Sequence, residues 1–467
     1  MTPHQFPNPV ITRFLFLFSA FALFTFCAFQ NKSYSEVSQN SHLINVKDLG
    51  ARGDGEAYDS GPIQEAIDAI SELGGGTVYI PPGDYLIKPL TLRSNLTLHL
   101  EKGATLYASD NFDHYPYVET RWEGTVCKGF QPILYAHSEE NITITGGAID
   151  GQGQAWWDEF WRIHKIWRTD PDNYEPANRW SREMAELNKN CPPLEHRPQW
   201  TMQWLRPVTI QFFRCKNVRV EQMTIKNTPF WSIHPVFTEN AHFNYINIEN
   251  PWKAPNTDGI DIESCNNVIV SNCIFTNGDD CIAIKSGIDI DGRNYNVPSK
   301  NIVISNNIFS SRHTAIAIGS EMSGGVENVL VSDCIIPRAR HGLIIKSKRS
   351  RGGYVKNIRY SNIVMGEIDQ WAMSINTFYR GGNQDDHLSH GVDEGTPFIH
   401  HIFYSGIQVD SCGLAIDIRG LPESPIRHVY LNNVFVSDAE KETRLEHSDQ
   451  PHLNEVYINE KKLQSWE

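Results

Sequence analysis

Short alternations of apolar and polar residues, rather than long amphipathic stretches, run through most of this chain. A segment of the form Asn-apolar-x-apolar recurs as NITI from Asn141, NVRV from Asn217, NVIV from Asn267, NIVI from Asn301, NVLV from Asn328 and NIRY from Asn357. HFNYINI from His242 fits between the second and third copies, and HVYL from His428 forms a later one. From Asn217 onward the copies are 25, 25, 34, 27 and 29 residues apart, which marks an internal repeat. Period-two alternation reads as half-buried strand, and one repeat has room for three short strands and three turns. The pattern predicts an all-β, single-stranded parallel β-helix, a solenoid in which an Asn at the same corner of each coil stacks into a hydrogen-bonded ladder. A β-sandwich would carry frequent hairpin signals, yet Asn-Gly occurs once, at Asn277.

The flanks break this rhythm. Ile63, Ala66, Ile67 and Ile70 fall at helical spacing and predict an N-terminal helix that caps the open end of the solenoid. Before it, Arg13 precedes the 16-residue apolar run FLFLFSAFALFTFCAF and polar QNKS, the pattern of an export signal over residues 1–33. Cys27 is a candidate lipid-anchor cysteine, although bulky Phe26 precedes it where a small residue is expected. No other stretch is apolar enough to cross a membrane. The expected layout is thus a signal, a β-helix over 44–440 and a C-terminal tail over 441–467. Two insertions, 151–206 and 380–398, interrupt the repeat and are expected to line a groove. Trp156, Trp157, Trp161, Trp167 and Trp200 either wall that groove or pack the insertion down.

Composition narrows the partners. A formal charge of −14 argues against nucleic acid, and it obliges any acidic polysaccharide to be held by local cations. Cys265, Cys273 and Cys281 are spaced by eight within strand-like segments and read as small buried hydrophobes rather than bridges. With no CxxC pair, neither a metal site nor a cofactor is expected.

Chemistry concentrates between Asn256 and Gly287. Asp258 lies beside Gly259, and the pair Asp279–Asp280 follows Gly278, 21 residues after Asp258. With strands stacked about 4.8 Å apart, the three carboxylates converge on one face. Crowded like charges cannot all ionise cheaply, so at least one pKa is expected to rise and leave a proton for donation. An acid beside an ionised base is what glycoside hydrolysis requires.

These residues resemble glycoside hydrolase family 28, the polygalacturonase-like enzymes of the right-handed β-helix, pectin lyase-like superfamily. The similarity rests on NTDG at 256–259, GDD at 278–280, RHTAIAIGSEMSGG at 312–325 and GLIIKSKRSRGG at 342–353, supported by WSIHP at 231–235 and GAIDGQG at 147–153. IGSEMSGG resembles the bacterial exo-acting branch. The resemblance implies Asp279 as general acid, Asp258 and Asp280 activating the water, inversion of configuration, His313 supporting the acid and contacting substrate, and Lys346 binding a uronate carboxylate. Asn256, Lys285, His234, Arg351 and Tyr379 complete the candidate substrate-binding set.

Two departures stand out: Ile344 replaces the Arg of the family's Arg-Ile-Lys motif, and Thr314–Ala315 replace two glycines. They point to a leaving-group sugar other than ordinary galacturonate, with Arg349, Arg351 and Lys285 as substitute cations. In-row stacking of Asp258 on Asp279 near 5 Å would also suit retention better than inversion. The expected protein is a monomeric, exported, exo-acting hydrolase of plant- or algal-type acidic polysaccharide. A Ca²⁺-dependent β-helix lyase and a non-catalytic glycan-binding β-helix are the alternatives.

Overall fold

The computed structural model describes residues 42–170, 191–197, 205–381 and 387–464, with Glu183, Glu186, Leu187 and Asn190 between them. The expected export segment, Cys27 and Trp200 lie outside the described residues. The fold is all-β, and nearly all of its strand pairing is parallel. One ladder joins Lys216–Glu221, Glu239–Asn244, Asn266–Ser271 and Ser299–Ser305. A second joins Thr224–Lys226, Asn247–Glu249 and Ile274–Asn277. A third joins Ile210–Phe213, Ile233–Val236, Ile260–Glu263 and Ile282–Lys285. From Val326 onward, long strands such as Val326–Lys346 and Tyr354–Asn376 run through successive ladders without a break.

The register explains the sequence pattern. Val268, Ile302, Val329, Ile358 and Ile402 are cross-strand partners, and all are buried in the common core. Each such side chain contributes roughly 1.5–3 kcal/mol of burial. Two residues before Val268, Asn266 starts the strand, and Asn267 adopts a left-handed backbone with φ 60. Asn tolerates that conformation better than other residues with a Cβ. Its amide donates to Asn240 Oδ1 at 3.0 Å, and the chain of such bonds runs from Asn95 through Asn141, Asn217, Asn240, Asn267, Asn301 and Asn328 to Asn357. His401 and His428 continue the same left-handed positions, with ring centroids 4.5 Å apart. The copy expected to start at His242 starts instead at Asn240, because the ladder is set by the corner residue and not by the first apolar residue after it.

The helix Ser60–Glu72 buries Ile63, Ala66, Ile67 and Ile70, the face expected of it. The ladder does not stop at residue 440: Arg427–Glu446 pairs with the preceding strand through Glu446, and His452–Ile458 adds one more parallel strand. Cys127, Cys215, Cys265, Cys273, Cys281, Cys334 and Cys412 are buried free thiols, and Cys191 is a half-buried one. In the first insertion, the helix Gln154–Thr169 turns Trp156 inward against Phe112, Tyr115 and Phe130. Trp157 is buried too, its indole donating to Thr228 O, whereas Trp161 and Trp167 are exposed. These tryptophans pack the insertion or face solvent, and none lines the cleft described next.

One antiparallel element lies outside the ladders. Tyr117–Trp122 and Thr125–Phe130 form a hairpin whose two-residue turn, Glu123–Gly124, has φ 42 and 85. Trp122 stacks on Phe230 at 4.0 Å, and Ile288 N donates to Gly124 O at 3.1 Å. The hairpin tip therefore rests on the loop that follows strand Ile282–Lys285.

Candidate active site

The site is built where the third ladder begins each strand. Gly259 N donates to Asp280 O and Cys281 N to Thr314 O, while Thr314 is the register partner of His341. Asp258, Asp280, Thr314 and His341 thus occupy one row, and Asp279 and His313 sit one step earlier. The expected stacking of Asp258 on Asp279 is off by one residue: Ile260 pairs with Ile282, so the in-row partner of Asp258 is Asp280. Asp279 is staggered outward, and the near-5 Å separation inferred from stacking does not apply to it. The glycines of both motifs follow from close strand approach. A Cβ on Gly259 would lie 2.3 Å from Cys281 O, and one on Gly278 would lie 2.2 Å from Ala254 O.

Asp280 is the hub. Its Oδ2 accepts from Lys346 Nζ at 2.9 Å, and its Oδ1 from His313 Nδ1 at 2.7 Å and Thr314 N at 3.1 Å. Burial works to raise its pKa, but Lys346 and His313 outweigh it and hold the carboxyl well below its ordinary value. The partners answer in kind. Against the effect of burial, Asp280 raises Lys346, and Asp280 with Asp279 raises His313. Asp279 accepts the Asp280 backbone N–H at 2.9 Å and stands 3.5 Å from His313 Nδ1, with 23 % of its side chain exposed to the cleft. Burial first, then Asp261, Asp279 and Asp280, push the pKa of Asp258 well up against the pull of Lys285, and among the described residues its Oδ1 has no hydrogen-bond partner; buried Asp261 beside it is pushed up to about 8. The crowding predicts that at least one of the three is raised to supply the proton, and Asp258 is such a carboxyl, although the resemblance implies Asp279 as the acid.

The cleft around this cluster is lined by Asn256, Asp258, Asp279, Asp280, Lys285, His313, Lys346, Arg351 and Tyr379. Nine of the ten expected site residues are therefore brought together. His234 is the exception, lying fully buried beneath the floor between Gln211 (3.0 Å) and Glu263 (2.9 Å). Burial lowers its pKa despite Glu263, so it serves as a neutral linker of two strands. Lys285 faces the cleft but is committed to Asp261 at 3.0 Å and Glu321 at 3.1 Å, above the face of Trp231 at 3.9 Å. Arg351 is held by Asp289 at 2.6 Å and Ser320 O at 2.9 Å, and Arg349 by Glu423. None of these three stands ready to replace the missing Arg, and Ile344 itself is buried between Ala317 and Ser374.

Sequence reasoning missed Glu123, Arg206, Trp231, Glu321 and Arg380, all but Arg206 lining the same cleft. Arg206, buried, donates to Pro229 O, Pro255 O and Asn256 Oδ1, and so fixes the turn that presents Asp258. Glu123 had a legible signal in Trp-Glu-Gly-Thr between two alternating runs, a two-residue hairpin turn. Asp279, Asp280 and His313 also offer donor atoms within 4.8 Å of one another, but Lys346 already occupies Asp280 Oδ2.

Comparison with known proteins agrees with this geometry. Residues 201–452 match the family model described as glycosyl hydrolases family 28, and residues 43–119 match that described as rhamnogalacturonase A/epimerase, pectate lyase-like. A probable polygalacturonase of Vitis vinifera is 30 % identical over 420 residues, covering 87 % of this chain and 77 % of the relative. The solved hyperthermoactive exopolygalacturonase of Thermotoga maritima superposes with a TM-score of 0.83 at 32 % identity, over 91 % of this chain and 93 % of that one. A family 28 exopolygalacturonase of Yersinia enterocolitica shares the fold, with a TM-score of 0.68 at 24 % identity over 91 % of this chain and 80 % of its own. The chain belongs to glycosyl hydrolases family 28 and is a glycoside hydrolase.

Proposed function

We propose that the protein is an exported, exo-acting hydrolase of polygalacturonate-type chains that works with inversion, on ladders wound as a right-handed parallel β-helix over about 44–446. The observation that carries the reading is the convergence of Asp258, Asp279, Asp280, His313 and Lys346 on one cleft. Asp279, the carboxyl nearest the open side, protonates the glycosidic oxygen. Asp280, held anionic by Lys346 and His313, accepts the proton of the attacking water. Asp258, whose pKa burial and the neighbouring carboxylates push well up, orients that water through its Oδ1. The stagger of Asp279 out of the Asp258–Asp280 row leaves room for a water between acid and base, as inversion requires.

The exo mode is supported by the hairpin 117–130, whose tip closes on Ile288 and Glu321 and puts Glu123 in the cleft wall. Polygalacturonate as substrate is supported by the names of the relatives and by the cations along the cleft. The Ile344 replacement favours a leaving-group sugar that does not need two cations. Export rests on the N-terminal pattern alone; among the described residues no helix is long and apolar enough to cross a membrane. The lyase alternative is weakened by Lys346, which sits where Asp280 would bind Ca²⁺.

Product analysis on polygalacturonate, rhamnogalacturonan and their oligosaccharides tests the proposal. Monomer or dimer released from the first minutes, with inverted anomeric configuration, is the expected result. A ladder of intermediate oligomers, or ultraviolet-absorbing unsaturated products, would overturn it.

A further inference from the structure

We propose that Glu123 reads the free end of the polysaccharide, accepting the 4-hydroxyl of the terminal sugar, and that this inference rests on the exo reading above. Glu123 sits at the hairpin tip in a left-handed backbone, φ 42, followed by Gly124 at φ 85, so the turn and not side-chain choice aims it into the cleft. A Cβ on Gly124 would lie 2.8 Å from Ile288 N and Cβ, which shows how tightly the tip is seated and how little the carboxyl position can drift. Among the described residues its carboxyl makes no hydrogen bond or ion pair, whereas the neighbouring Glu321 is held by Lys285. Burial and the nearby Glu321 raise the pKa of Glu123 against Lys285, Arg380 and Arg206, and a hydroxyl donated by a ligand in the cleft would satisfy the carboxyl.

The ligand's donors can be identified by charge. Lys346 and Arg380 line the cleft, and a uronate turns its carboxylate toward such cations. Glu123 and Glu321 repel that carboxylate and suit the hydroxyl edge of the ring. In an α-1,4-linked chain the hydroxyl that exists only at the non-reducing end is the one on C4, since every internal O4 is glycosidic. A carboxyl on the end wall therefore meets the group that distinguishes a chain end from its middle.

The test compares two trisaccharides, saturated trigalacturonate and its analogue whose non-reducing residue is 4,5-unsaturated and lacks that hydroxyl. Wild-type kcat/KM is expected to favour the saturated trimer by about tenfold to a hundredfold, the worth of one hydrogen bond to a charged group. Glu123→Ala should lose that factor on the saturated trimer alone, and Glu123→Gln, whose amide oxygen still accepts, should retain part of it. A fold defect would lower both substrates together, and such parallel loss, or no loss, would overturn the inference. If the wild type releases internal fragments from polygalacturonate, the exo reading fails first and this one with it.

Discussion

Lys346→Met isolates the interaction on which the whole cluster turns. The lysine and Asp280 are 2.9 Å apart, with 11 % and 4 % of their side chains exposed. Removing one partner of a buried pair leaves the other charge stranded, at a cost of about 3–5 kcal/mol. His313 and Thr314 N still hold Oδ1, so the expected loss is about 3 kcal/mol near neutral pH. The dependence on pH gives the test its edge. Asp280 has its folded pKa held below the unfolded one, so it contributes stability that is present above the unfolded pKa and lost as pH falls through the folded pKa. Without Lys346 only His313 offsets burial, so the carboxyl takes up a proton at higher pH than in the wild type, and the variant's deficit shrinks on acidification. The acid limb of kcat/KM should move to higher pH for the same reason. Urea denaturation of wild type, Lys346→Met, Asp280→Asn and the double variant at pH 7 and pH 4.5 supplies the measurement. Adding Asp280→Asn to Lys346→Met should recover stability at pH 7, because the unpaired charge is gone. A deficit equal at both pH values, with losses that simply add in the double variant, would refute the reasoning.

Three further outcomes follow from the same geometry. Asp279→Asn should fold normally and still bind oligogalacturonate while kcat drops by a factor of about 10²–10⁴, the usual worth of a general acid; turnover near wild type would remove Asp279 from that role. Asn301→Ala should cost about 1–3 kcal/mol in urea denaturation, combining a left-handed Cβ at φ 56 with two ladder bonds. Asn301→Gly should cost less, and equal losses would mean that backbone strain plays no part. Arg206→Ala should release the Asn256 turn and reduce kcat/KM by about tenfold or more, with wild-type kinetics showing that the turn holds itself.

The repeat was legible because its two ingredients are local. Alternation reports burial, and an Asn at a left-handed corner reports the turn, so both can be counted along the chain. Register is different. Asp258 and Asp279 are 21 residues apart, but the ladder pairs Ile260 with Ile282, a step of 22. One residue suffices to change which carboxylates share a row. His234 misled for a related reason. Its environment comes from Gln211 on the strand before and Glu263 on the strand after, and nothing within WSIHP records either. Trp156 and Trp157 show the limit of composition: aromatic residues near a groove look alike in sequence whether they line it or pack beneath it.

The same period that makes the fold regular also forces the site to be irregular. A parallel ladder brings like positions of successive repeats side by side, so a carboxylate retained at one position in two repeats becomes a stacked pair of charges, as Asp258 and Asp280 are. The chain resolves that repulsion across neighbouring strands. Lys346 and His313 balance the charge of one member from the strands that follow, and burial raises the pKa of the other. Two chemically identical carboxyls in one row thereby have their pKa values pushed in opposite directions, and the third, staggered out of the row, faces the ligand. A variant that moves the lysine from position 346 to 344 (Lys346→Met with Ile344→Lys) keeps the charge balance but removes it from the row that reaches Asp280, since Ile344 aligns with Ala317 and not with Gly319. That variant should behave as Lys346→Met does, and a wild-type acid limb in its pH profile would show that net charge, rather than position in the row, sets the state of Asp280.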